Sequence, residues 1–141
     1  MTTRKTRLTR TVGQMLVSCE TKEAPSDQEW DEFLRMLATH QANFASLRIL
    51  VVTDGGGPTA TQRKRLQTAL AGQSVKVAVV TDSIKVRFIV SSVALLNHSI
   101  ATFSRSEFSK AIAFLGLGAG EYRMAMKAVD EMTQVLREQS A

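Results

Sequence analysis

The chain has little of what most function classes require. Its 141 residues include one cysteine, two prolines, one tryptophan, one tyrosine and two histidines. A lone Cys19 excludes an intramolecular disulfide and points to a reducing, cytoplasmic compartment. It closes the apolar run Met15-Leu16-Val17-Ser18-Cys19, so it reads as a small core side chain rather than a reactive thiol. Neither His40 nor His98 has a second ligand beside it at metal spacing. No Gly-x-Ser-x-Gly elbow accompanies them. The sequence therefore names no catalytic residues, no metal site and no cofactor, and the chain is read as a non-enzyme. It has no apolar stretch of signal-peptide type and no run long enough to span a bilayer, so membrane insertion is not expected. Aromatic-basic interleaving, helix-turn-helix and zinc-finger spacings are also missing, so nucleic-acid binding is not indicated.

What is present is a phrase written twice. Residues 47–54 read Leu-Arg-Ile-Leu-Val-Val-Thr-Asp, and residues 75–82 read Val-Lys-Val-Ala-Val-Val-Thr-Asp. Apolar, β-branched runs of this kind belong to a mainly parallel sheet buried on both faces. Each is followed by a helix-starting stretch, which puts the loops 54–61 and 82–85 on one edge of an α/β domain. The 44% hydrophobic and 22% charged content fits one globular domain. Four of the five net positive charges come from Arg4, Lys5, Arg7 and Arg10. Residues 1–10 are therefore read as a basic arm, either a solvated tail or a first edge strand.

The remaining elements follow from local signals. A strand is expected over residues 13–20, with 7–10 pairing ahead of it. Ser26 and Glu29 have capping-box spacing and start a helix over 27–43, whose apolar face is Trp30, Phe33, Leu34, Leu37 and Ala38. A second helix covers 59–71, with Arg63, Lys64 and Arg65 as a solvated face. The helix over 83–96 is apolar nearly all round and must be either buried or covered by a partner. A short strand, 99–104, leads to a helix ending near Leu115. The last segment, 119–139, places Tyr122, Ala125, Met126, Val129, Met132 and Leu136 on one stripe, which either packs back on the domain or pairs with another subunit. Alternation of this kind favours right-handed parallel crossovers.

Two places carry possible chemistry. The loop Asp54-Gly55-Gly56-Gly57-Pro58 is either a tight strand-to-helix turn or an anion cradle at a helix N-terminus. It lacks both the Walker and the dinucleotide spacing, and Asp54 repels an anion. Asp54 and Asp82 stand at the ends of neighbouring strands, where open α/β sheets bind ligands. Either they form part of such a site or Asp82 and Ser83 cap the next helix.

The stretch Val77-Ala-Val-Val-Thr-Asp-Ser83, the helix after it, Ile100-Ala-Thr-Phe-Ser104 and Glu107-Phe-Ser-Lys-Ala-Ile-Ala-Phe-Leu115 together resemble SpoIIAA-like proteins of the STAS superfamily. The resemblance spans roughly residues 12–117 and organises the chain as an arm (1–10), a STAS-like domain (11–118) and an amphipathic C-terminal helix (119–141). It implies a mixed, mainly parallel sheet of four to five strands flanked by helices, without cofactor or catalysis. It also implies docking on a regulatory protein of the anti-sigma kind through loop 54–61 and the helix after it. Phosphorylation would fall on Thr59 or Thr61, where Gly-Gly-Gly-Pro replaces the family's Asp-Ser-Ser-Gly. The other expectations are a small anionic ligand or nucleotide held at Asp54, Gly55, Gly56, Gly57, Thr59, Asp82 and Ser83, and a homodimer through the C-terminal helix.

Overall fold

The computed structural model describes residues 4–94 and 99–140; His98, Leu95 and Leu96 lie outside them. Five strands, β1 (Arg7–Val12), β2 (Met15–Glu20), β3 (Arg48–Thr53), β4 (Lys76–Val80) and β5 (Ile100–Phe103), form one sheet in the order β1-β2-β3-β4-β5. The first pair is an antiparallel hairpin turning at Gly13, whose φ of +58° suits a residue without a Cβ. The others are parallel. The sheet is thus mixed and mainly parallel. Strand order never reverses, so the crevice that dinucleotide-binding sheets open at a reversal does not arise.

Among the described residues five α-helices complete the fold: α1 (Asp27–Ala38), α2 (Ala60–Leu70), α3 (Ile84–Ala94), α4 (Phe108–Phe114) and α5 (Ala119–Ser140). The Ser26 hydroxyl accepts from the Glu29 N–H at 3.1 Å, and the Glu29 carboxylate accepts from the Ser26 N–H at 3.0 Å. This is the reciprocal cap that the spacing implies. Helix α1 stops at Ala38, before the expected residue 43. The N–H groups of Thr39 and His40 bond to the carbonyls of Met36 and Leu37, tightening the last turn. Gln41–Asn43 is a separate 3-10 turn.

Alternation along the strands feeds two cores. On one face Leu16, Ile49 and Val75 meet Trp30, Phe33, Leu37, Phe44 and Leu47. On the other, Val17, Cys19, Leu50, Val52, Ala78 and Val80 meet α4 and α5. Ala125, Val129, Met132 and Leu136 are buried there. The C-terminal stripe therefore packs back on the sheet. Residues 119–140 are a core layer rather than an appendage.

Of the two readings of the basic segment, the edge strand is the one observed. Arg7–Arg10 belongs to β1, so the arm boundary at residue 10 falls inside a strand. Pairing with β2 along six residues holds it there. The apolar helix α3 is not buried all round: Val90 is, while Ile84, Phe88 and Ile89 are exposed.

Candidate functional site

The twin phrase builds twin turns. Thr53 and Thr81 are both buried. The Thr53 hydroxyl accepts from the Gly55 N–H at 3.1 Å and donates to the Gly56 carbonyl at 2.6 Å. The Thr81 hydroxyl accepts from the Ser83 N–H at 3.0 Å. A hydroxyl bonding two residues ahead turns the chain as it leaves each strand. The aspartate that follows is left exposed at the carboxyl edge of the sheet.

Asp54 and Asp82 then converge on one residue. Arg105 opens the 3-10 turn Arg105–Glu107 after β5. Its guanidinium donates to the Asp54 carboxylate, and its backbone N–H donates to Asp82 Oδ1 at 3.1 Å. The two carboxylates are therefore held by one residue of the chain itself, Asp54 by its guanidinium and Asp82 by its backbone N–H. Among the described residues no group of three or more histidine, cysteine, aspartate or glutamate side chains could hold a metal ion.

The glycine loop is shaped by close approach. The Gly56 N–H donates to the Thr21 carbonyl at 2.8 Å, and a Cβ at Gly56 would lie 2.1 Å from the Glu23 carbonyl oxygen. Only glycine lets the two loops touch there. The N–H groups of Gly55 and Gly56 are thus both used within the chain, whereas a phosphate cradle needs them turned outward. Gly57 is half-buried and adjoins Pro58. Thr59 caps α2: its hydroxyl accepts from the Gln62 N–H at 3.2 Å, and its N–H donates to Gln62 Oε1 at 2.9 Å. Gln62 also donates to the Pro25 carbonyl at 2.9 Å, and the Trp30 indole donates to the Gln62 carbonyl at 2.9 Å. These bonds staple the start of α2 to the start of α1. Thr59 and Thr61 remain exposed on that rim.

At α3 it is Ser83 that caps, its hydroxyl accepting from the Val86 N–H at 3.3 Å, while Asp82 serves Arg105. A Cβ at Gly55 would sit 3.9 Å from Ser83 Oγ, so loop 54–59 and the start of α3 adjoin. The fold brings together Asp54, Gly55, Asp82 and Ser83; Gly56 and Thr59 belong to the rim over residues 21–27. Sequence reasoning passed over Arg105, although a cation two residues beyond β5 was the available signal. Cys19 lies beneath this edge. Burial pushes its thiol up to about 11, against a hydrogen bond from Thr133 that pulls the other way. It is a protonated core side chain at neutral pH. Among the described residues, no helix is long and apolar enough to cross a membrane.

No family model, curated protein or solved structure matches this chain.

Proposed function

We propose that this chain is a non-enzymatic, cytoplasmic regulatory module of STAS-like kind, which docks a regulatory protein through the start of α3 and the adjoining loop 54–61. The observation that carries the reading is the exposure of Ile84 and Phe88, at 84% and 73%. They lie one turn apart on α3, with Ile89 beside them. Scattered exposed apolar side chains are ordinary, but three on one helix beside a strand-end loop make a patch of the kind that partners cover. Lys85 and Arg87 flank it and carry no acid between them. The fitting partner therefore has an apolar centre and an acidic rim, consistent with an anti-sigma-like regulator. The docking surface suggested by the resemblance moves from the polar α2 to α3. Thr59 and Thr61 stay at its margin, where a phosphate would add negative charge to the rim.

The test compares proteins captured by the intact chain with those captured by Ile84→Asp and Phe88→Asp. Both positions are exposed, so the variants should melt as the parent does. Loss of one reproducible acidic-rimmed partner from both variants supports the reading. Recovery of the same set by all three removes it. Phosphopeptide mass spectrometry on the recovered chain reads Thr59 and Thr61 in the same experiment. The rival reading, a small anion at loops 54–61 and 82–85, is weakened because Gly55 and Gly56 spend their N–H groups internally.

A further inference from the structure

A cavity of about 290 Å³ lies between the end of α5 and the carboxyl ends of β2 and β3. Val52, Thr133 and Leu136 contribute to its lining, and Lys22, Arg105 and Arg137 bring cations to it. Arg105, Thr133 and Arg137 also line an adjoining cavity of about 320 Å³ that continues along α5. The two arginines thus stand where the two lobes meet. The Lys5 N–H donates to Gln139 Oε1 at 2.9 Å. That bond ties the segment before β1 to the end of α5 and brings Arg4 to the same cavity. Cations therefore reach it from four separate parts of the chain.

Acids line it as well. Glu20 lines the cavity and gives one carboxylate oxygen, Oε1, to the buried Arg7, while its buried Oε2 has no hydrogen-bond partner among the described residues. Asp54 is bound to Arg105, which leaves Glu23 here and Asp130 in the adjoining lobe. Among the described residues neither Lys22 nor Arg137 has an ion-pair partner.

We propose that this cavity binds a small organic phosphomonoester. Guanidinium and ammonium groups arriving from several directions suit a tetrahedral dianion, and Val52 and Leu136 offer apolar surface to its carbon body. The volume sits at the lower end of ligand pockets, so a sugar- or aryl-phosphate-sized molecule fits and a dinucleotide does not. Asp54 acts as a built-in competitor: it occupies the Arg105 guanidinium until the phosphate replaces it. This site is independent of the α3 docking surface and is read by a different experiment.

The probe is phenyl phosphate, titrated into the full chain and followed by amide NMR and calorimetry. Saturable binding with shifts at residues 21–23, 105 and 133–137 is expected. Arg137→Gln should weaken it roughly tenfold, the worth of one charge-assisted hydrogen bond. Asp54→Asn should strengthen it by releasing Arg105, and Lys64→Gln on α2 should change nothing. Inorganic phosphate should bind more weakly, because it leaves the apolar surface unfilled. The proposal is overturned by the absence of saturable binding, by weakening in Asp54→Asn, by equal losses in Arg137→Gln and Lys64→Gln, or by equal affinity for inorganic phosphate. Arg137 is exposed on α5, so its substitution leaves the core intact.

Discussion

Arg7 and Glu20 face each other as register partners across the β1–β2 hairpin, and their side chains form an ion pair only 3% and 1% exposed. The guanidinium also donates to Ser18 Oγ at 2.9 Å. It lies 5.0 Å from the Trp30 ring centroid and 4.5 Å from that of Phe33, within cation–π range. Burial pulls its pKa down to about 9, with the Glu29 charge opposing that fall, so it is a cation at neutral pH. One residue of the basic arm is therefore the peg that joins β1 to α1.

Removing the anion should be far more damaging than removing a surface partner. Glu20→Ala strips the buried guanidinium of its ion-pair partner and should cost about 3–5 kcal/mol. The Arg10–Glu131 pair is 44% and 46% exposed, and Arg10→Ala should cost less than about 1 kcal/mol. Urea midpoints measure both. Similar losses for the two variants would mean that the buried pair is not the stronger anchor.

Truncation after residue 118 should abolish cooperative unfolding. It would uncover Cys19, Val52 and Val80 on the sheet and remove Val129, Met132 and Leu136 from the core. Those three side chains are worth about 1.5–3 kcal/mol each, against a total stability of roughly 5–15 kcal/mol for a domain. A truncated chain that still melts in one sharp transition would show that α5 is dispensable to the core. Within the intact chain, Met132→Ala should cost about 2–5 kcal/mol.

The parts of this fold that were legible in the sequence are those governed by local rules. The β-branched runs at 47–53 and 75–81 became β3 and β4, and Ser26 with Glu29 became the cap they spell. The 119–139 stripe gave a helix, although its spacing could not say against what. Arg7 was illegible because an arginine in a basic run carries no sign of its partner across a hairpin. Arg105 shows in the sequence only as a cation beyond β5, because it meets Asp54 and Asp82 only after two crossovers set β3, β4 and β5 side by side. The outward face of α3 was hidden by its composition: a helix apolar all round has no pattern to say which side meets the sheet.

The cap of α2 separates the two candidate hydroxyls at the rim. Thr59→Ala removes the acceptor of the Gln62 N–H and should cost about 1 kcal/mol, whereas Thr59→Asp keeps an acceptor and should cost much less. Thr61 caps nothing, and Thr61→Ala should stay within about 0.5 kcal/mol of the parent. Equal losses at the two positions in urea titrations would remove the structural role assigned to Thr59.

Acid should destabilise the chain partly through Glu29. Burial alone would push its carboxyl up, but it accepts from the Thr6 hydroxyl at 2.6 Å and from the N–H groups of Ser26, Arg7 and Thr6 at 2.9–3.0 Å. These bonds outweigh burial and hold it below its ordinary 4.5. A folded pKa below the unfolded one means that the unfolded chain takes up the proton first as pH falls. The contribution is therefore fully present at neutral pH and drains away as pH drops through the ordinary carboxylate range toward the folded value. Glu29→Gln removes this titration, since its side chain keeps an acceptor but has no charge to lose. Stability measured in urea from about pH 7 to pH 3 should fall more steeply for the parent than for the variant over the acidic part of that range. Parallel curves would mean that other carboxylates, and not the one pinning β1 to α1, set the acid limit of the fold.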